Sequence, residues 1–337
     1  MSERTPRSKR PRRPPAVARV LERVTATVRE YEMFSPSDRV VVAVSGGPDS
    51  VCLLYSLWML RRLFKIELEV FHFDHQLRQD SAKDAQYVKR LAAKLRLPFH
   101  LRSAEGKPPK GESVEAWARV ERFVAGLQVG AEIGARRLSL GHTLDDQAET
   151  VLLALMRGGG LEAVSGIDPA QGTVVRPLIS VRRSEVEAFC RALRLRPRRD
   201  PTNLDTRFLR NAVRLKILPA MEKVTGRDVR GPMARSADLL RSDLQELRPR
   251  KYQWMLARRT EKGFELVIEK LRSAPDAGRL GVKLVLRDQL GLPVTKAHID
   301  AVLDLAEGRP GRKIHLPGGF TAVREREYIR IASPESP

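Results

Sequence analysis

From position 40 onward, short apolar runs alternate with longer segments whose apolar residues recur every three or four positions, and that alternation predicts parallel βαβ units. The first strand is read at Val40 to Val44, apolar at every position as a strand covered on both faces requires. It runs into Ser45-Gly46-Gly47-Pro48-Asp49-Ser50, and Val51 to Leu60 then predicts a helix. A second strand, Ile66 to Phe73, ends at Asp74-His75; Ala82 to Leu95 follows with Ala85, Val88, Leu91, Ala92 and Leu95 on one helical face. Phe99 to Leu101 predicts a short strand, Glu105 to Gly111 a loop with two prolines, and Ser113 to Gly130 a helix. Strand Arg137 to Leu140 leads into Gly141-His142, and Asp145 to Met156 is a helix ended by Gly158-Gly159-Gly160. After a strand at Val174-Val175, a helix is read from Ser184, with Glu187 three residues on completing a capping-box pattern.

The rest of the chain changes character. Residues 221 to 259 are helical and charged in pattern, and Gly263 to Ile268, Lys313 to Leu316 and Tyr328 to Ile331 predict strands around a helix at Lys296 to Glu307. At the other end, residues 1 to 16 mix prolines with arginines and have Glu3 as their only acid, so they cannot bury enough apolar surface to order themselves. The expected organisation is a flexible basic tail (1–16), an α/β domain with a parallel, Rossmann-like sheet (17–220), and a helical linker with a smaller α+β domain (221–337).

Composition narrows the class. Two cysteines, Cys52 and Cys190, with no CxxC pair, exclude a disulfide framework and a cysteine-based zinc or iron-sulfur site. No apolar run approaches the ~18 residues of a membrane span, and the Arg-rich start lacks a secretory apolar region, so a cytoplasmic protein without membrane contact is expected. Against that background the net charge of +21 points to a polyanionic partner, with nucleic acid first.

Candidate chemistry gathers where strands end. A glycine turn between a buried strand and a helix presents backbone N–H groups at the positive end of the helix dipole, and Ser45, Gly46, Gly47, Pro48, Asp49 and Ser50 form such a phosphate site. The turn contains no lysine, unlike a loop that grips a γ-phosphate, which disfavours ordinary γ-phosphate hydrolysis. Asp49 falls in the first helical turn, either as a structural acid or as a holder of Mg2+. Asp74 and His142 end strands at the edge where an open parallel sheet receives ligands. His72, Asp74 and His75 suggest a metal trio, but strand alternation sends His75 to the other face, which disfavours a zinc site there. Thr143 followed by Asp146 reads equally as a helix cap or a functional acid. Asp145 and Glu149, four apart, share a helix face and can receive a cation; an exposed acidic face is the alternative. Between 194 and 216, eight basic residues stand against Asp200 and Asp205, and Arg207, Arg210 and Arg214 predict one basic stripe, for RNA phosphates or simply solvated.

The string SGGPDS resembles the pyrophosphate-loop signature of the PP-loop ATP pyrophosphatase superfamily, whose adenine nucleotide α-hydrolase-like fold serves cleavage of ATP between its α- and β-phosphates. HFDHQLRQDSAKDAQYV (72–88), EAWARVERF (115–123), GHTLDDQAETVLLALMRGGG (141–160) and DPTNLDTRFLRNAVRLKILP (200–219) are similar to segments of the tRNA(Ile)-lysidine synthetase family, and LPGGFTAVREREYIRI (316–331) to its small domain. The length is that of the family's short architecture. The resemblance implies an enzyme that uses ATP and Mg2+ to adenylate the wobble cytidine of the CAU anticodon in the minor isoleucine tRNA and then joins L-lysine to it. It implies catalytic roles for Asp49, Asp74, Arg119, Arg122 and His142, lysine or Mg2+ binding by Asp145, Asp146 and Glu149, and contact of Asn203, Arg210 and Asn211 with tRNA or the site. Arg119 and Arg122 either neutralise the leaving pyrophosphate or form surface ion pairs. The competing functions are tRNA 2-thiolation, for which the cysteines provide no pair, and non-enzymatic RNA binding, which explains the charge but not the phosphate loop.

Overall fold

The computed structural model describes residues 13–76, 81–104, 106, 114–198, 204–254, 257–260, 263–273, 275–286 and 295–332. The tail over 1–12, Asn203, and the loop 105–111 apart from Gly106 lie outside the described residues. The chain divides into two compact units, 1–240 and 241–337.

The first unit opens with helix α1 (Pro15–Glu30), which buries Val17, Val20, Leu21, Val24 and Val28. Their three- and four-residue spacing is a helical stripe that the strand-first reading of the chain leaves unassigned. Strand β1 (Arg39–Ala43) and helix α2 (Pro48–Phe64) flank the glycine turn. The β/α alternation continues through β2 (Glu67–Asp74), α3 (Ser81–Leu95), β3 (Phe99–Ser103), α4 (Val114–Glu132), β4 (Arg137–Ser139) and α5 (Leu144–Met156). After a single-turn helix α6 (Leu161–Val164) come the short strands β5 (Ala170–Gln171) and β6 (Val174–Val175), and helix α7 (Arg183–Ala192). Helix α7 starts one residue earlier than its sequence suggests. Its N3 residue is Glu185, whose Oε2 accepts the Arg182 N–H at 3.0 Å, so Glu185 and not Glu187 completes the cap.

These strands form one six-stranded sheet in the order β3-β2-β1-β4-β6-β5, parallel except for β5. The order runs in opposite directions on either side of β1, which makes the β1/β4 edge the switch point where such sheets bind ligands. The valine run of β1 serves both faces. Val40 and Val42 join a core with α1, α2, α3 and α7, while Val41 joins Phe71, Phe73, Leu138 and Val174 beneath Ala125 and Val129 of α4. Beyond α7, helix α8 (Leu209–Ala212) passes through a π-helical turn, Val213–Ile217, into α9 (Leu218–Thr225), and Val213 and Leu218 pack on Leu153 of α5.

A long helix, α10 (Arg230–Trp254), precedes strands of a five-stranded antiparallel sheet in the order β7-β8-β11-β10-β9. They are β7 (Ala257–Thr260), β8 (Gly263–Val267), β9 (Lys313–His315), β10 (Thr321–Arg324) and β11 (Tyr328–Ala332). Helices α11 (Ile268–Ser273), α12 (Pro275–Leu284) and α13 (Lys296–Glu307) pack Leu271, Val282, Val302 and Leu305 against it. Strands β7 and β10 add to the three predicted. The helical reading to 259 overruns into β7, whose residues pair with β8. No helix among the described residues is long and apolar enough to cross a membrane.

Candidate active site

The glycine turn sits where β1 leaves the sheet. Gly47 is the N-cap of α2, Pro48 its first residue and Asp49 its second, so the free N–H groups of the first turn face the loop. Gly46 has φ +91°, a left-handed conformation that admits glycine without strain, and its carbonyl accepts the Arg198 N–H at 2.9 Å. The two serines close the turn: Ser50 Oγ donates to the Gly47 carbonyl at 3.0 Å and lies 3.2 Å from Ser45 Oγ. His72, on β2, bonds through Nδ1 to the Val44 carbonyl at 2.7 Å, tying the strand exit in place. Burial lowers its pKa, so the imidazole is neutral and Nδ1 carries the proton for this bond.

The exit of β4 packs directly against that turn. A methyl group on Gly141 would lie 3.3 Å from the carbonyl carbon and oxygen of Asp49 and from the Ser50 nitrogen, a tight approach that glycine relieves. His142 is the next residue. Arg176 Nε–H donates to its Nδ1 at 3.2 Å, which puts the proton of the neutral ring on Nε2. Burial pushes His142 down to about 3, Asp146 opposing and Arg176, Arg119 and Arg210 assisting. Arg119 is among the charges acting on His142, and Arg122 is itself lowered by burial and by Arg119. Asp74 ends β2 as expected, with Oδ1 accepting the Gln76 N–H at 2.9 Å.

Helix α5 brings three acids to the same edge, all of them buried. Thr143 caps the helix, and Asp146 Oδ2 accepts the Thr143 N–H at 2.9 Å and its hydroxyl at 2.8 Å. Arginines supply the remaining partners. Arg183 stands 3.2 Å from both Asp146 and Glu149 and 3.6 Å from Asp49. Arg210 and Arg214 reach Glu149 at 3.0 and 2.6 Å and Asp146 at 3.4 and 3.3 Å. Asp145 accepts from the Arg183 N–H and from Arg230, each at 2.8 Å. Burial raises the Asp146 carboxyl, but Arg183 and Arg210 overrule it and hold it well below the usual carboxylate range. Asp49 goes the other way: burial pushes it up to about 6 against Arg183.

This geometry sets one alternative aside and corrects one expectation. Asp145 and Glu149 do not form the exposed acidic face that is the alternative to ligand binding: they are 7% and 0% exposed, because arginines brought in from α7 to α10 neutralise them. Nor do Arg207, Arg210 and Arg214 form one basic stripe. Arg207 lies before α8 and points to solvent with Asp205 beside it at 2.7 Å, whereas Arg210 and Arg214 turn inward onto the α5 acids. Sequence reasoning missed Arg183, Arg176 and Arg230. Only Arg183 left a trace, as an arginine at the start of a helix that comes after a sheet strand, and that signal is too common to single it out.

Residues 17–221 match the family profile described as a PP-loop domain. The chain is 43% identical over 232 residues to the tRNA(Ile)-lysidine synthase of Symbiobacterium thermophilum, an alignment covering 66% of this chain and 48% of that protein. It thus spans about half the length of that relative. To the tRNA(Ile)-lysidine synthase of Cutibacterium acnes it is 36% identical over 315 residues, 92% of this chain and 94% of the other. Among solved structures, a U34-tRNA thiolase from Methanococcus maripaludis with a 4Fe-4S cluster superposes with a TM-score of 0.58 at 16% identity, covering 67% of this chain and 79% of that one. At that identity the likeness is one of fold. Both cysteines of the present chain are buried, free thiols.

Proposed function

The chain belongs to the tRNA(Ile)-lysidine synthase family of PP-loop, ATP-dependent ligases, and from that premise we propose that it converts the wobble cytidine of a CAU-anticodon isoleucine tRNA to lysidine. In this reading the C2 carbonyl oxygen of the cytidine attacks the α-phosphate of ATP and diphosphate leaves. The ε-amine of L-lysine then attacks C2, gives up a proton, and AMP departs. The modified base pairs with A in place of G.

The observation that carries the proposal is the meeting of a lysine-free phosphate turn with a neutral histidine and a group of acids and arginines at one sheet edge. The Ser45–Ser50 turn binds the leaving diphosphate through backbone N–H groups. His142 acts as a donor through Nε2–H toward oxygen that gains charge, since Nδ1 is taken by Arg176. Arg119 and Arg122 supply positive charge beside it. Asp49 Oδ1 is buried without a hydrogen-bond partner, an acceptor that suits a hard cation with a preference for oxygen. Mg2+ bound there with ATP supplies neutralisation of the phosphates as the α–β bond breaks. Asp74 lines the same edge. Asp145, Asp146 and Glu149 are the acids for lysine or Mg2+, each of them beside an arginine.

The net charge of +21 supports tRNA as the polyanionic partner, with Arg207 and the smaller antiparallel unit as contacts. The cytoplasm, where tRNA, ATP and lysine meet, is the compartment this reading requires. The test is mass spectrometry of the wobble nucleoside after incubation with ATP, Mg2+, lysine and the minor isoleucine tRNA. Lysidine, with AMP and diphosphate in equal amounts, is expected; ADP and orthophosphate as first products would overturn it.

A further inference from the structure

Arg183 occupies a position that the proposed reaction leaves unused. Its three guanidinium nitrogens face three different carboxylates: Nε faces Asp49 Oδ2 at 3.6 Å, Nη2 faces Asp146 Oδ1 at 3.2 Å, and Nη1 faces Glu149 Oε1 at 3.2 Å. The residue is tied at its backbone as well, with its N–H on Asp145 Oδ2 at 2.8 Å. Only 19% of the side chain is exposed.

We infer that Arg183 is the positioning residue for the metal-binding carboxylate of the phosphate turn: it holds Asp49 by Oδ2 and so presents Oδ1 to the cation. The inference rests on the proposal that Asp49 takes Mg2+. A carboxylate in the first turn of a helix is free to rotate unless a partner fixes it, and the partner fixes it only if it is itself immobile. Arg183 meets that condition because α5 grips both its backbone and the far side of its planar fork. The two oxygens of Asp49 are accordingly unlike, one paired with Arg183 and the other buried without a partner. Helix α7 also abuts the turn elsewhere, with Cys190 Sγ 3.8 Å from the Pro48 carbonyl, so the arginine is delivered by an element already packed there. A lysine in its place has one nitrogen and cannot serve three acids spread over two helices.

The test uses the full chain with α,β-methylene-ATP, which binds without turnover, and reads Mn2+ affinity by electron paramagnetic resonance. Arg183→Met is expected to weaken Mn2+ binding roughly 10- to 100-fold, the range for a residue that orients a metal ligand. Arg183→Lys should fall between that variant and the wild type, and binding of the nucleotide in EDTA should not change. In turnover assays the Mg2+ concentration for half-maximal diphosphate release rises by a similar factor, while the rate at saturating Mg2+ is largely recovered. Arg183→Met leaves buried acids short of a partner; if it does not fold, Arg183→Lys, which keeps the charge, decides. Folded variants that bind Mn2+ as tightly as the wild type would overturn the inference. An Asp49→Ala protein that keeps full Mn2+ affinity would instead overturn the metal assignment itself, and with it this inference.

Discussion

Asp49 and Asp146 each sit in the first turn of a helix at the carboxyl edge of one sheet, and each faces Arg183, yet their protons respond in opposite directions. The difference lies in the other partners. Asp146 has the Thr143 N–H and hydroxyl and two further arginines, and these outweigh the cost of burial. Asp49 has one guanidinium at 3.6 Å and an oxygen with nothing to bond, so burial prevails and the carboxyl rises to about 6. One helix start is electrostatically complete, while the other keeps a buried acceptor without a hydrogen-bond partner among the described residues, which is the basis for the cation proposed there.

The contrast is broken most severely at Glu149, whose fully buried carboxylate accepts from three arginines. Glu149→Ala leaves Arg210 and Arg214 facing Asp146 alone and should cost about 3 to 5 kcal/mol, read from denaturant unfolding. A smaller effect separates the two aspartates by pH. The folded-state pKa of Asp49 lies above its ordinary value of 3.8, so its contribution favours the fold at low pH and is lost as pH rises from about 4 to 6. Asp146, depressed, contributes stability that is full above about pH 4 and is lost as pH falls through its folded value. Asp49→Asn should therefore remove a decline in melting temperature between pH 4 and 6, and Asp146→Asn should remove part of the acid-side loss. A wild-type curve unchanged by either substitution would show that the two carboxyls do not differ. The smallest effect is expected at Arg207, whose pairing with Asp205 is local and solvated. Arg207→Ala should leave the melting temperature alone but lower the slope of log tRNA affinity against log salt by about 0.7 if the side chain meets a phosphate.

Legibility in the sequence tracked the distance between partners. The phosphate turn was readable because strand, glycines and helix are contiguous from Val40 to Leu60, and the Thr143–Asp146 cap because its members are three apart. The four-residue spacing of Asp145 and Glu149 correctly put both on α5, yet it said nothing about burial, which comes from arginines 34 to 85 residues away. Spacing likewise put Arg210 and Arg214 on a common face without saying that the face turns inward. Helix α1 is marked plainly by Val17, Val20, Leu21, Val24 and Val28 yet lies outside the β/α alternation that begins at Val40, and β7 carries charged residues that read as helix.

Arg210 and Arg214 straddle the change from α to π winding, where the Leu218 N–H bonds to the Val213 carbonyl five residues back. A π turn is an α-helix lengthened by one residue within a turn, so this site depends on how many residues the segment contains as well as on which they are. Leu215 and Lys216 both point outward, and either position should accept other side chains. Because the extra residue is taken up within that one turn, deleting one of them would restore α winding and leave α8 and α9 in register, altering only the turn that carries Arg214. The length of this stretch is thus a local matter, felt where Arg214 is seated on Glu149.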